Sequence, residues 1–377
     1  MCLKFTDSTA FFRRQEFRNL KIMDKKTPKY ILVQEKIKRA IKNREIVGKL
    51  PGERTLAKEY GYSYMTIRKA IDNLVADGFL YKLPTKGTFV ADRKKSKKKT
   101  KIIGYFLDSK IVAGLTSPYY SLIFNALEKE SAKHGYSLIY FSDVDESGSL
   151  NHLSKIDGVV ASCFPRNEDI IHKINDRVPL VVIDNSSSDK TIPSIIIDNF
   201  NAVSDSVKYL CSLGHKRIGF MTGLQDSDVG KNRYEGYKSG LISNGLALND
   251  ELVYRGNYSF KSGLAGADYF LSLNKLPTAI VCANDAMAIA TIRQVTKQGL
   301  KVPDDISIIG FDDVEVASQI NPALTTLAAP IAETAKLALD MLTSLMNGEE
   351  TEAKHIALPA KLIIRNSCAE VKESAAA

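Results

Sequence analysis

Two sets of polar side chains in this sequence have the types and spacing needed to bind a ligand. The first is cationic and lies within residues 50–90, where Arg54, Arg68, Lys69 and Lys86 fall on one predicted surface. Such side chains contact phosphate groups, and arginine also pairs with the edge of guanine. The second set consists of aspartate and asparagine residues that directly follow apolar runs further along the chain. Their oxygens accept hydrogen bonds from hydroxyl groups, so the sequence predicts a phosphate-binding surface and a separate polar cavity.

The distribution of charge agrees with a polyanion-binding amino-terminal region. Residues 1–101 contain 27 Lys and Arg against 10 Asp and Glu, whereas the other 276 residues contain 25 against 33. A basic end joined to an acidic remainder is typical of nucleic-acid-binding proteins, but a solvated basic tail has the same charge. The motifs within the basic region must therefore decide between the two.

The basic region has the pattern of a helix-turn-helix followed by a hairpin. The apolar spacing predicts helices over 29–43, from about Glu53 to Gly61, and over about 64–77. Gly61 suits a left-handed cap and Ser63 an N-cap. The runs FLYKL and GTFV predict two strands around the turn 84–86. This geometry places the second helix of the motif in the major groove and the hairpin along the DNA backbone or minor groove.

The segment LPGERTLAKEYGYSYMTIRKAIDNLVADGFLYKLPTKGTFV (50–90) resembles the winged helix-turn-helix of the GntR family, and the resemblance covers residues 28–91. It implies a DNA-binding surface formed by Arg54, Ser63, Tyr64, Met65, Thr66, Arg68, Lys69, Lys86 and Gly87. Three residues depart from the family pattern, because Gly52 replaces a serine cap, Thr85 replaces the first glycine of the wing, and Tyr64 stands where an arginine is usual. The operator sequence therefore cannot be taken over from relatives.

Beyond a lysine-rich segment, the chain alternates apolar runs with amphipathic helices. Continuous apolar strands separated by helices predict parallel sheets covered on both faces. Eight or more strands are many for one sheet, so two lobes are expected. The predicted strands lie within 102–108, 136–143, 157–163, 180–184, 194–198, 217–223, 278–284 and 306–312, and helices are predicted at 119–134, 200–213, 232–244, 285–299 and 331–347.

Polar residues recur at the carboxyl ends of these strands, where open α/β sheets bind ligands. They are Asp108, Asp184-Asn185, Asp198-Asn199, Asn284-Asp285 and Asp312-Asp313. Each pair alone is more often a helix cap or a turn. Their recurrence, together with Arg233, predicts a polar cleft suited to a polyol, and a tyrosine at 119 or 120 could cover the apolar face of a sugar ring.

The motifs SPYYSLIFNALEKESAKHGY (117–136), RYEGY (233–237), CANDAMAIA (282–290), VPDDISIIGFDD (302–313) and NPALTTLAAP (321–330) resemble the effector domain of LacI/GalR repressors and periplasmic sugar-binding proteins. This resemblance extends over about 101–368. It implies ligand-binding roles for Arg233, Asn284 and Asp312, with Ser117, Tyr119 and Tyr120 as further candidates in the first loop. Ala328-Ala329 depart from the family, which often has polar residues there, so hexose and purine specificity are in doubt.

A GntR-type reader followed by a LacI-type sensor is similar to the arabinose-responsive repressors. The resemblance implies a cytoplasmic transcriptional repressor of carbohydrate-utilisation genes that binds double-stranded operator DNA as a homodimer and is released by a sugar, with a pentose as the leading ligand. The predicted boundaries are a disordered segment or an alternative start within 1–27, the reader at 28–91, a linker at 92–101, the effector domain at 102–368 and a tail at 369–377.

Other classes of protein are less compatible with the sequence. It lacks a phosphate-binding GxxxxGK[ST] loop, an HExxH motif and a GxSxG elbow, so neither an enzyme nor a cofactor or metal is expected. The five cysteines form neither a disulfide framework nor a zinc-ligand spacing, and no apolar run is long enough for a membrane span. A two-lobed sugar-binding transport-type protein, or an enzyme with a DNA-binding domain, remain the alternatives.

Overall fold

The computed structural model describes residues 28–43, 45–76, 78–91, 99–108, 111, 113–142, 151–162, 168–349 and 355–371. The chain divides into two compact units between Lys98 and Lys99. The predicted disordered segment or start at 1–27, most of the predicted linker, and most of the tail lie outside the described residues. Within those residues, no helix combines the length and apolar character that a membrane span requires.

The described part of the first unit contains three helices and a hairpin. Its helices are α1 (Lys29–Lys42), α2 (Glu53–Tyr60) and α3 (Tyr64–Ala76), close to the predicted positions. Gly61 ends α2 in the left-handed conformation with φ 71°, as predicted. The three helices and the hairpin bury one apolar core, which contains Val33, Ile37, Leu50, Leu56, Ile67, Ala70, Ile71, Leu74 and Leu80.

The hairpin consists of β1 (Leu80–Leu83) and β2 (Gly87–Val90), paired antiparallel as predicted. The sequence pattern did not reveal that residues 48–50 run beside β2. The amide of Leu50 donates to Thr88 O at 2.8 Å, and the amide of Val90 donates to Gly48 O at 2.7 Å. The wing is therefore braced by the segment that precedes α2.

The second unit has two lobes, each with a six-stranded sheet. The amino-terminal lobe contains a fully parallel sheet in the order β13-β7-β6-β5-β3-β4. Its strands are β3 (Ile102–Leu107), β4 (Ser137–Phe141), β5 (Gly158–Ser162), β6 (Leu180–Ile183), β7 (Ser194–Ile197) and β13 (His355–Leu358). Helices α4 (Pro118–Lys133) and α11 (Ile331–Asn347) cover one face, and α5 (Glu168–Asn175) covers the other.

The carboxy-terminal lobe has the sheet order β14-β12-β11-β10-β8-β9, with β14 antiparallel and the others parallel. Its strands are β8 (Ile218–Met221), β9 (Val253–Tyr254), β10 (Ala279–Cys282), β11 (Ser307–Asp312), β12 (Thr325–Ala328) and β14 (Lys361–Ile363). The helices are α6 (Asn199–Ser212), α7 (Asp228–Ser243), α8 (Phe260–Leu271), α9 (Asp285–Lys297) and the short α10 (Glu315–Gln319). The predicted fold class is confirmed.

The chain passes between the two lobes three times, from β7 to α6, from β12 to α11 and from β13 to β14. Because the lobes are joined by these crossings, residues at the crossings lie beside the cleft between them. Asp198-Asn199 begins α6 at the first crossing, and Ala328-Ala329 precede α11 at the second. Two of the predicted polar or atypical positions therefore lie at crossings between the lobes.

Candidate functional site

The first turn of α3 presents the predicted nucleic-acid contacts. Ser63 caps this helix, because its Oγ accepts a hydrogen bond from the amide of Thr66 at 3.2 Å and lies 2.8 Å from Thr66 Oγ1. Met65 is 69% exposed, and Tyr64 is 40% exposed. Such exposure of large side chains at the start of a helix is typical of a surface that a partner covers. Thr66 is half-buried. The remaining predicted contacts are all exposed, and they are Arg54, Arg68, Lys69, Lys86 and Gly87.

Two lysines that the motif did not identify extend this cationic surface. Lys29 lines a surface pocket of about 220 Å³ together with Tyr30, Met65, Thr66 and Lys69, and Lys69 Nζ lies 4.4 Å from the centre of the Tyr30 ring. Lys49 lies on the wing, where a Cβ at Gly87 would be 3.1 Å from its Cε. The long-range pairing of residues 48–50 with β2 places Lys49 there, so local spacing could not have revealed it.

The wing turn is held in an uncommon backbone conformation. Thr85 has φ 64° and Gly87 has φ 109°, and both values lie in the left-handed region. A β-branched residue is strained at such an angle. The base of the wing is tied to α3 by Lys82 Nζ, which lies 2.6 Å from Asp72 Oδ1. The wing is thus fixed to the helix that carries most of the predicted DNA contacts.

The amino-terminal side of the cleft is formed around Asp184, which follows β6. Tyr119 Oη donates to Asp184 Oδ1 at 2.5 Å, and Ser162 Oγ donates to Asp184 Oδ2 at 3.1 Å. Tyr105 Oη lies 3.1 Å from the same serine hydroxyl. Asp184 has φ 69°, a conformation that carries strain in a non-glycine residue and is often retained at functional sites. Sequence reasoning placed Asp184 at the sheet edge but did not include it among the ligand-binding residues.

Arg233 forms the centre of the carboxy-terminal side. It is 4% exposed, its Nε donates to Asn199 Oδ1 at 2.8 Å, and its Nη1 donates to Ala283 O. Nη1 also lies 4.0 Å from Asp312 Oδ1, and the guanidinium lies 3.5 Å from the centre of the Phe311 ring. A buried guanidinium with these partners is fixed in position, so it presents an oriented set of donors.

The carboxylates on opposite lobes share one electrostatic environment. Burial raises the pKa of Asp312 well above its ordinary value. The positive charge of Arg233 lowers this pKa, whereas the negative charges of Asp285 and Asp184 raise it further. Burial also raises the pKa of Asp184, against the hydrogen bonds from Tyr119 and Ser162 and the charge of Arg233. The cleft therefore contains two acidic groups that have lost hydration and one arginine near both.

The remaining predicted ligand-binding residues lie around this cluster in different ways. Tyr120 packs edge-on against Tyr119, with ring centres 5.1 Å apart. Ser117 is half-buried directly before α4 and makes no side-chain cap. Asn284 caps α9 by accepting from the Met287 amide at 3.0 Å and donates its Nδ2 to Tyr258 O at 3.0 Å. The oxygen and the nitrogen of the Asn284 side chain therefore both form hydrogen bonds within the protein.

Tyr258 is a cleft residue that the sequence did not indicate. Its hydroxyl is buried and makes no hydrogen bond of good geometry in the described part of the chain. Burial raises its pKa, while Arg233 lowers it and Asp312 raises it, which places the phenol near those groups. Its backbone has φ 68°, and its ring occupies the space next to Gly223. A lone tyrosine in a loop has no sequence signal that separates it from a surface residue.

Several strand-end residues have structural roles. Asp198 caps α6 by accepting from the Asn201 amide at 3.1 Å. Asp285 is fully buried and accepts from Thr326 Oγ1 at 2.5 Å and from the Val314 amide at 2.9 Å. These contacts agree with the ordinary behaviour of Asp after a strand. Among the described residues, no cluster of three or more His, Cys, Asp and Glu side chains is arranged to hold a metal ion.

Two family models match the chain. Residues 29–90 match the bacterial regulatory proteins of the gntR family, and residues 207–368 match the periplasmic binding protein-like domain. The first match covers the unit with the exposed cationic surface. The second begins within α6 and includes the rest of the carboxy-terminal lobe together with α11 and β13 of the amino-terminal lobe. The two resemblances stated from the motifs are therefore confirmed.

Comparison with characterised proteins gives transcriptional repressors among the relatives. The chain is 32% identical over 266 residues to the HTH-type transcriptional repressor CytR of Escherichia coli (strain K12), a match that spans 68% of this chain and 77% of CytR. It is 27% identical to the ribose operon repressor of Haemophilus influenzae, over 73% of this chain and 83% of that protein. Among solved structures, a LacI-family regulatory protein from Chloroflexus aggregans has a TM-score of 0.62 and 27% identity, covering 71% of this chain and 99% of that one.

Proposed function

Because this chain belongs to the LacI-type family of transcriptional repressors that includes CytR, with a gntR-family domain at its amino-terminal end, we propose that it represses carbohydrate-utilisation genes. In this proposal the first unit binds double-stranded operator DNA, and a small sugar bound between the lobes of the second unit releases it. A pentose such as arabinose is the leading ligand.

The observation that carries the proposal is the buried Arg233, whose Nη1 lies 4.0 Å from Asp312 Oδ1 in one lobe and whose charge also acts on Asp184 of the opposite lobe. A sugar has hydroxyl groups that can donate to both carboxylates and accept from the guanidinium. Such contacts would replace part of the hydration that burial removes. Because they join the two lobes, they would also favour the closed arrangement over an open one.

Three features support a pentose over a larger ligand. Ala328 and Ala329 bring no polar side chain to the second crossing, where Ala328 is paired with Asp312. The tyrosine pair Tyr119 and Tyr120 offers aromatic area that can cover the C–H face of one ring. Among the relatives, the repressor from Haemophilus influenzae is named for the ribose operon, and ribose is a pentose.

DNA binding by the first unit is supported by the exposed residues of α3 and the wing. Arg54, Arg68 and Lys86 are free to contact phosphates or a guanine edge. Helix-turn-helix proteins bind half-sites related by symmetry, so a homodimer is proposed as the binding species. Sugar binding would then change the operator affinity by altering how the two readers are held.

A two-step experiment tests this function. Thermal unfolding is measured with L-arabinose, D-ribose, D-xylose, D-glucose and D-galactose, and the stabilising sugar is then added to protein bound to DNA selected from a random pool. We expect a pentose to raise the unfolding temperature and to lower the DNA affinity. A sugar-binding protein that ignores DNA at low salt would instead indicate the transport-type alternative, and turnover of a sugar would indicate an enzyme.

A further inference from the structure

The chain segment that enters the effector domain is held by one carboxylate. Asp157 Oδ1 accepts from the amide and from the hydroxyl of Thr100, both at 3.0 Å, and Asp157 Oδ2 accepts from the amide of Lys101 at 2.9 Å. Lys101 has φ 62°, so the backbone turns sharply there before β3 begins at Ile102. Three hydrogen bonds to one side chain fix the direction in which residues 99–101 leave the lobe.

The same place is contacted by the end of a long helix. Lys99 Nζ donates to Asn347 Oδ1, the last residue of α11, at 3.0 Å. Gly158, next to Asp157, lies under this helix, since a Cβ at 158 would be 2.7 Å from Met346 Sδ and 2.9 Å from Leu342 Cδ1. The last turn of α11, residues 157–158 and residues 99–101 therefore form one packed junction.

The other end of α11 lies at the ligand cleft. Ala328, three residues before the helix, is paired with Asp312 in the sheet, and the amide of Ala329 donates to Asp312 O at 3.3 Å. A helix of 17 residues is about 25 Å long. Its buried face, which includes Ala335, Ala338, Leu339 and Leu342, packs in the core of the amino-terminal lobe. One rigid element thus connects the backbone of Asp312 with the junction around Asp157.

We propose that Asp157 is a positioning residue that couples sugar binding to operator release, by fixing residues 99–101 to the lobe and to the end of α11. This role rests on the proposed function. If the junction holds, a displacement of α11 relative to the cleft also moves the start of the chain segment that leads to the reader. If Asp157 is lost, residues 99–101 can reorient freely, and the displacement no longer reaches the reader. Asp157 touches neither the sugar nor the DNA in this account.

The test compares the wild type with Asp157→Ala and Asp157→Asn in the full-length protein. Operator affinity is measured by fluorescence anisotropy with and without L-arabinose, D-ribose or D-xylose, and sugar affinity is measured by calorimetry. For the wild type we expect the sugar to weaken operator binding by about 5- to 150-fold, the usual range of allosteric coupling. Asp157→Ala should bring this ratio close to one while it leaves both separate affinities within about threefold. Asp157→Asn, which retains one acceptor oxygen, should have an intermediate ratio.

Asp305→Ala is the matched control, because Asp305 Oδ2 accepts from the Lys301 amide at 2.7 Å in a turn of the other lobe. It should retain the wild-type ratio, and Asn347→Ala should lower the ratio in part. Hydrogen exchange of the Thr100 and Lys101 amides provides a measurement that needs no sugar, and both amides should exchange faster in Asp157→Ala. The role would be overturned if Asp157→Ala kept the wild-type ratio of operator affinities, or if Asp305→Ala lost that ratio to the same extent. It would also be overturned if the Thr100 and Lys101 amides were unprotected from exchange in the wild type. A wild type that no sugar affects would refute the proposed function itself, and the coupling role with it.

Discussion

The reader and the sugar cleft hold their candidate residues in opposite ways. In the reader, the side chains of Arg54, Arg68 and Lys86 are exposed. In the cleft, Arg233 and Asp312 are buried at 4% and 7% exposure and are held by neighbouring side chains and backbone. The contrast indicates that the exposed surface suits a large external partner, whereas the buried and mutually held groups of the cleft suit a small one.

This difference has an energetic consequence. Removing an exposed side chain leaves the fold nearly unchanged, since surface substitutions usually cost less than about 0.5 kcal/mol. Removing one partner of a buried charge pair leaves the other uncompensated, so stability and binding change together. Substitutions in the reader should therefore change DNA binding without changing stability. Substitutions in the cleft should change sugar binding and stability together.

The largest expected effect is that of Arg68→Ala on operator binding. A well-placed arginine contact contributes about 1–3 kcal/mol, and the proposed dimer would lose two of them, so affinity should fall by at least about 30-fold. The unfolding temperature and its increase with sugar should stay as in the wild type. Gel shifts and thermal unfolding measure the two properties. Arg293→Ala, which removes an exposed arginine from α9, serves as the control. Unchanged operator affinity in Arg68→Ala would mean that α3 is not the recognition helix.

The reader could be predicted almost completely because its information is local. Gly61 and Ser63 each determine a cap within a few residues, and the structure has Gly61 at positive φ and Ser63 as a cap. The strands β3 to β8, β10 and β11 were also predicted, because buried parallel strands are continuous apolar runs. Four strands were missed, namely β9, β12, β13 and β14. Three of them, β9, β13 and β14, are edge strands of two to four residues, which have no distinctive pattern, and β12 is an interior strand of only four residues.

The cleft could be predicted only in outline because distant residues assemble it. The rule that polar residues at strand ends form the ligand edge indicated the region in which Asp184 and Asp312 lie near Arg233. It could not distinguish these two from Asp198 and Asp285, which have the same local pattern but cap a helix or fill a buried position. That distinction depends on the packing of Tyr119 and Arg233 from other elements, and local sequence does not contain it.

The next largest effect is the loss of sugar affinity expected when Asp312 of the cleft is replaced. Asp312→Asn removes the negative charge that faces Arg233 and a candidate hydroxyl acceptor, and hydrogen bonds to charged groups contribute about 1.5–3 kcal/mol. We therefore expect sugar affinity to fall by about 10- to 100-fold, while operator affinity without sugar is retained, so the protein stays on DNA when sugar is added. Calorimetry and gel shifts test this, with the exposed Asp268→Asn as the control. Sugar release as in the wild type would place the ligand elsewhere.

A more gradual effect is expected in the pH dependence of stability. Burial raises the pKa of Asp285 to about 7, so the folded state retains a proton that the unfolded chain releases at lower pH. The free energy of unfolding should then decrease as the pH rises from the ordinary range of aspartate towards 7, by at most about 1.4 kcal/mol per unit from this group. Asp285→Asn should flatten that slope, and Asp250→Asn, at an exposed position, should leave it unchanged. Denaturant titrations across this range measure it, and an equal slope in Asp285→Asn would exclude Asp285 as its source.

The smallest effect is expected for the wing turn, which contains the strained residue Thr85. Thr85 has φ 64°, which disfavours a residue with a Cβ by about 1–2 kcal/mol, and glycine avoids this at an entropic cost of about 0.5–1 kcal/mol. The change also removes the hydrogen bond from Thr85 Oγ1 to Pro84 O at 2.6 Å. Thr85→Gly should therefore stabilise the turn by only a few tenths of a kcal/mol, seen as about twofold slower hydrogen exchange of the Lys86 amide, which donates to Leu83 O. If the same variant also binds operator more tightly by a similar factor, wing order limits DNA binding. If exchange slows without a change in affinity, the exposed side chains, and not the stability of the turn, determine how the reader holds DNA.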